Sequence, residues 1–123
     1  MKNSRYYKRY NVSFNGYVVE NNSNKYIFHV QDISAGGMNI ITDQDFVLNH
    51  LLTFVFDNAG LRLPQIKQIK GKITRKRTGN GVFAYGIRFI ELSDAQIVEI
   101  DECLRYAHTI TSTDTVYQHG PLR

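Results

Sequence analysis

The sequence predicts a mainly β fold, a six-stranded antiparallel β-barrel closed by a C-terminal α-helix. Three observations carry that expectation. Short runs of period-two hydrophobicity recur between turn-forming residues from Tyr10 to Phe89. One turn, Thr78-Gly79-Asn80-Gly81, has the composition of a tight hairpin, because Gly and Asn tolerate positive φ. The period then changes at Ser93 to that of an amphipathic helix. Many short strands followed by one helix fit a small barrel with a helix packed on it.

Each element has its own warrant. Met1 to Arg9 is polar and basic, with Lys2, Arg5, Lys8 and Arg9 and no acid, and is expected to be a flexible arm. From Tyr10, the residues Val12, Phe14, Gly16 and Val18 share one face of a strand and Asn11, Ser13 and Asn15 the other. Asn21 to Asn24 is a turn, and Tyr26, Phe28 and Val30 resume alternation, so residues 10 to 31 read as a hairpin. Asp32 to Gly37 is a tight bend. Met38 to Thr42 is a third strand, Asp43 to His50 a polar connection with room for a helical turn, and Leu51 to Phe56 a fourth strand. After a loop from Asp57 to Pro64, Ile69, Gly71 and Ile73 alternate with Lys70, Lys72 and Thr74. Six of the eleven residues from Lys67 to Arg77 are basic, which gives this long strand a cationic outer face. The return strand puts Phe83, Tyr85, Ile87 and Phe89 on one face. Ser93 and Gln96 have capping-box spacing, and Ile97, Ile100, Leu104 and Ala107 form the apolar stripe of the helix. The chain from Thr111 is polar and is expected to be a loosely held tail. The organisation is an arm at 1–9, a barrel with helix at 10–110, and a tail at 111–123.

Composition narrows the class of function. In 123 residues, 42% hydrophobic and 21% charged positions with fifteen Phe and Tyr describe an ordinary globular domain. The net charge of +4 suits an anionic partner. The single cysteine, Cys103, excludes an internal disulfide and a four-cysteine zinc site. No secretory h-region and no apolar run long enough to span a bilayer are present, so a cytoplasmic location is expected. His29, His50, His108 and His119 have no metal-binding spacing, no phosphate-binding glycine motif occurs, and the expectation is a protein that is not an enzyme, with no metal and no cofactor.

Two motifs point further. Arg5-Tyr6-Tyr7-Lys8-Arg9 has the form RxxxR, and Asp32-Ile33-Ser34-Ala35-Gly36-Gly37 has the form DxSxxG, one hairpin later. The pair resembles the PilZ domain, the bacterial receptor module for cyclic di-GMP. Tyr85-Gly86-Ile87-Arg88-Phe89 resembles the final strand of that family, so the resemblance spans roughly residues 5 to 108. It implies that Arg5 and Arg9 meet the guanine Hoogsteen edges and the phosphates, which a planar guanidinium fork fits and an ammonium does not. It implies that Asp32 accepts from guanine N1 and N2, that Ser34 offers a hydroxyl, and that Gly37, with Gly36 beside it, permits positive φ and close backbone approach to an anion. Ser4 stands where many members carry a further arginine, which suggests one ligand per domain. Arg75 stands where many carry a tryptophan and is a secondary candidate for stacking on a base. The output implied is contact with a protein partner in motility, adhesion, exopolysaccharide or virulence control, with the arm ordering on the ligand. A nucleotide-free PilZ-like adaptor is the alternative, and a single-stranded nucleic-acid binder using residues 67–77 the less favoured one.

Overall fold

Alternation sends one side chain in two to a common interior. Val18, Phe28, Ile40, Phe54, Ile73 and Ile87 are all buried, each from a different strand. The structure, a computed structural model, describes residues 7–12, 14–20, 24–57 and 68–119, with side chains up to residue 107. The strands are β1 (Asn15–Glu20), β2 (Asn24–Ser34), β3 (Gly37–Thr42), β4 (Leu51–Asp57), β5 (Gln68–Thr78) and β6 (Phe83–Phe89), and α1 (Asp94–His119) follows. Neighbours pair antiparallel in the order β1-β2-β3-β6-β5-β4, and pairing of β1 with β4, from Asn15 opposite Asp57 to Val19 opposite Thr53, closes the barrel. At one end of the core Phe28 meets Phe54 and Phe56 edge-to-face at centroid distances of 5.6 and 5.9 Å. Such pairs contribute about 0.5–1.5 kcal/mol each beyond their buried area.

The first predicted strand begins later than Tyr10. Val12 and Phe14 are buried as the alternation requires, but ladder pairing starts at Asn15, opposite His29. Tyr10 pairs instead with the far end of β2, exchanging backbone hydrogen bonds of 2.8 and 3.0 Å with Ile33. The arm therefore reaches the barrel by its backbone, with Tyr10 buried and Tyr7 packed against the core. Of the expected arm, residues 7–9 are described, with Tyr7 half-buried and Lys8 and Arg9 exposed.

Three other expectations change. Asp32 and Ser34 belong to β2 rather than to a bend, since a bulge between Val30 and Asp32 lets the strand continue to Ser34. The Asp43–His50 connection holds no helical turn. Its backbone is fixed by Tyr85, whose hydroxyl donates to the Gln44 carbonyl and accepts from the Phe46 amide, both at 2.6 Å, while Asn49 takes a left-handed φ of 70°. The helix backbone continues to His119, beyond the Thr111 at which a tail was expected. Its start agrees with the capping box: the Ser93 amide donates to Gln96 Oε1 at 2.9 Å and the Gln96 amide to Ser93 Oγ at 3.1 Å. Ile100, Leu104 and Ala107 are buried, and α1 touches β2.

Candidate functional site

Two strands are bulged, and both bulges border the same place. On β2 the shift falls between Val30 and Asp32, and on β5 between Ile73 and Arg75. A bulge turns the next side chain away from simple alternation. Asp32 is then opposite Asn39 of β3, Asn39 opposite Gly86 of β6, and Gly86 opposite Arg75 of β5. One row of four residues, Asp32–Asn39–Gly86–Arg75, crosses four strands and links the β2–β3 hairpin to the β5–β6 hairpin.

Polar bonds run along that row. Asn39 Nδ2 donates to Asp32 Oδ1 and Oδ2 at 3.0 and 3.1 Å, and Asn39 Oδ1 accepts from Arg75 Nη2 at 2.8 Å. Arg75 lies against the strand at Gly86, where an added Cβ would stand 2.8, 2.9 and 3.1 Å from its Nε, Nη2 and Cζ. The arm adds the fifth member. The Tyr10–Ile33 bridge places Arg9 beside Asp32, and Arg9 Nη1 donates to Asp32 Oδ1 at 2.7 Å. Asp32, Asn39, Gly86 and Arg75 line a cleft of about 590 Å³, together with Gln31, Leu48, Thr74, Lys76, Arg77 and Tyr85. Volumes of roughly 300–1,000 Å³ are usual for small-molecule sites.

The cleft rim carries its own electrostatics. Lys76 reaches out of β5 to pair with Asp45 of the connection, and this hydrogen bond holds its ammonium pKa above the ordinary lysine value. Burial pushes the Tyr85 phenol pKa up, so the hydroxyl stays a donor to Gln44 at neutral pH.

The DxSxxG residues divide in two. Asp32 faces the cleft. Ser34 is fully buried, and its Oγ accepts from the Gly36 amide at 3.1 Å, so it braces the β2–β3 turn. Gly37 is the first residue of β3, opposite Arg88, and a Cβ there would stand 2.2 Å from the Ile87 carbonyl oxygen. The positive φ expected at Gly37 gives way to a close approach of two strands; among the described residues the left-handed glycine is Gly81, with φ 76°, in the β5–β6 turn. Arg5 lies outside the described residues.

The PilZ domain model matches residues 3–106, most of the chain. The chain belongs to the PilZ domain family. This PilZ domain is similar in fold to the PilZ domain of YcgR from Escherichia coli, solved with c-di-GMP, at 10% identity and a TM-score of 0.69, over 89% of this chain and 95% of that one. It is similar also to Klebsiella MrkH (17% identity, TM-score 0.65, 94% and 52% covered) and to the Bacillus subtilis inhibitor of motility MotI/DgrA (14%, 0.62, 87% and 51%). The chain thus spans about half the length of those two proteins. No curated protein matches it. Among the described residues no helix is long and apolar enough to cross a membrane.

Sequence reasoning missed two members of the PilZ row. Asn39 is a polar residue between the buried Met38 and Ile40, a signal visible in the alternation, but nothing local says which strand it faces. Gly86 was noted as part of a strand motif; its role as the bed of Arg75 depends on the β5 bulge.

Proposed function

We propose that this PilZ domain is a non-catalytic cyclic di-GMP receptor that works in the cytoplasm. The observation that carries the reading is that Asp32 and Arg75 line one cleft and Arg9 pairs with Asp32, although the three stand on the arm, β2 and β5. A carboxylate accepts from the guanine N1 and N2 donors. A guanidinium meets O6 and N7 with two parallel bonds, or stacks by its plane on the base.

The geometry implies an exchange. Each carboxylate oxygen has about two lone pairs. Asp32 Oδ1 already accepts from Arg9 and Asn39, while Oδ2 accepts from Asn39 alone among the described residues. A guanine that uses N1 and N2 together must take the place of Arg9 on Oδ1. Arg9 is then released toward the Hoogsteen edge or a phosphate, where it keeps a charge-assisted partner. Arg5, one helical turn's worth of sequence earlier, is assigned the second such contact. Ser34, Gly36 and Gly37 serve by fixing the turn that aims Asp32. Binding re-seats the arm and alters the surface seen by a protein partner in motility, adhesion or exopolysaccharide control. The solved neighbour titled an inhibitor of motility supports that class of output.

Titration calorimetry with cyclic di-GMP, and GTP as control, tests the reading. Saturable and selective binding near one ligand per chain is expected. Absence of both heat and thermal shift at generous ligand would leave the nucleotide-free adaptor in its place. Nucleic acid is the second reading, favoured by Lys72, Arg77 and Arg88, which have no ion-pair partner among the described residues. Oligonucleotide affinity that falls steeply with salt and ignores cyclic di-GMP would support it.

A further inference from the structure

Asn39 stands between an anion and a cation, and its carboxamide matches both. The amino end meets the two oxygens of Asp32, and the carbonyl end meets Arg75. The opposite orientation would set the carbonyl against the carboxylate and the amino group against the guanidinium, so the environment admits one orientation. Asp32 forms its ion pair with Arg9, and Arg75 forms none among the described residues. Arg75 lies against Gly86 instead, with its Nη2 donating to Asn39.

We infer that Asn39 is a positioning residue that sets base specificity, keeping the Asp32 acceptor and the Arg75 cation apart as two separate recognition groups. The inference rests on the proposed cyclic di-GMP reading. Without the carboxamide, the Arg75 guanidinium loses its bond to Asn39, and Asp32 is the anion at the other end of that same side chain. Their direct pairing would occupy the oxygens that guanine needs and draw the cation off the floor of the cleft. An apolar side chain of similar size, Asn39→Leu, removes the bridge while β3 keeps its buried neighbours Met38 and Ile40. Asn39→Ala makes the same test with no added bulk.

The probes are cyclic di-GMP and its analogue with hypoxanthine for guanine, which keeps N1–H and both phosphates but lacks the N2 donor. Wild type is expected to prefer the guanine ligand by about tenfold, the size of a good polar contact at a base edge. Asn39→Leu and Asn39→Ala are expected to lose about tenfold more affinity for cyclic di-GMP than for the analogue, so the preference collapses toward unity. Their unfolding midpoints should stay near that of wild type, because a new Arg75–Asp32 contact replaces the lost bonds. A merely structural role would weaken both ligands equally and lower the midpoint. Wild-type preference retained in both variants overturns the assignment alone; wild type that binds neither ligand overturns the receptor reading and the assignment with it.

Discussion

Arg9 and Asp32, twenty-three residues apart in sequence, meet at 2.7 Å, so the two motifs of the chain touch. The contact is half open to solvent, with side chains 38% and 24% exposed. Exposed pairs of this kind contribute about 0–1 kcal/mol. Arg9→Ala should therefore shift the unfolding midpoint by no more than about 5 °C. It should lower cyclic di-GMP affinity by at least about tenfold, since a charge-assisted contact is lost from the bound state. Calorimetry and thermal melts on the same preparation check both halves, and wild-type affinity in the variant would remove Arg9 from the site.

Ser34→Ala is expected to behave in the opposite manner. The buried hydroxyl satisfies the Gly36 amide. Its removal leaves that donor short of a partner and should cost about 1–3 kcal/mol. Urea denaturation of the free protein reads this directly. A variant as stable as wild type that nonetheless fails to bind would make Ser34 a ligand contact rather than a brace.

Two glycines should also separate. At Gly37 the added methyl meets the backbone oxygen of Ile87 at 2.2 Å, and the β3–β6 ladder must open to admit it. Gly37→Ala is expected to cost several kcal/mol, about 3 or more, or to prevent folding. At Gly86 the methyl meets only the end of a movable Arg75 side chain. Gly86→Ala should keep the fold, displace Arg75 and weaken binding. Circular dichroism with ligand titration distinguishes them, and unchanged affinity in Gly86→Ala would deny Arg75 a part in recognition.

Tyr85→Phe should lower stability by about 1–3 kcal/mol at pH 8, because the Gln44 carbonyl and Phe46 amide lose their shared partner. The pH dependence has a definite sign. Burial raises the folded Tyr85 pKa above its unfolded value of about 10, so the folded state holds the proton more tightly. That part of the stability is complete below about pH 10 and is lost as pH rises through the folded value. Lys76, raised by its hydrogen bond to Asp45, is present in both proteins. Urea midpoints from pH 8 to 11 should show the wild-type advantage shrinking with pH; a constant difference would mean the hydroxyl titrates as in the unfolded chain.

Most strand faces were legible in the sequence because a half-buried strand must alternate, and Phe83, Tyr85, Ile87 and Phe89 could only face inward together. The cap at Ser93 was legible because its two bonds join residues three apart. What escaped was set at a distance. Tyr10 leaves the β1 register because Ile33 offers it backbone partners. Asp32 and Arg75 are aimed by bulges that no local pattern announces. The pairing of Asn39 with both follows only from β3 lying between β2 and β6. Gly37 was read as a backbone hinge for an anion, when the constraint on it comes from a carbonyl fifty residues away in the chain.

Pairing of β1 with β4 also decides how this domain can be read by another protein. An open sheet would present a row of unpaired amides and carbonyls to which a partner could add a strand. Here every strand has two neighbours, so that mode of recognition is closed at both sides of the sheet. A partner must instead engage side chains on the barrel wall, the arm or the helix, and the arm is tied to Asp32 by the Arg9 ion pair. On the proposed receptor reading, a change at Asp32 passes to the arm through that ion pair, and the arm is then both latch and visible flag.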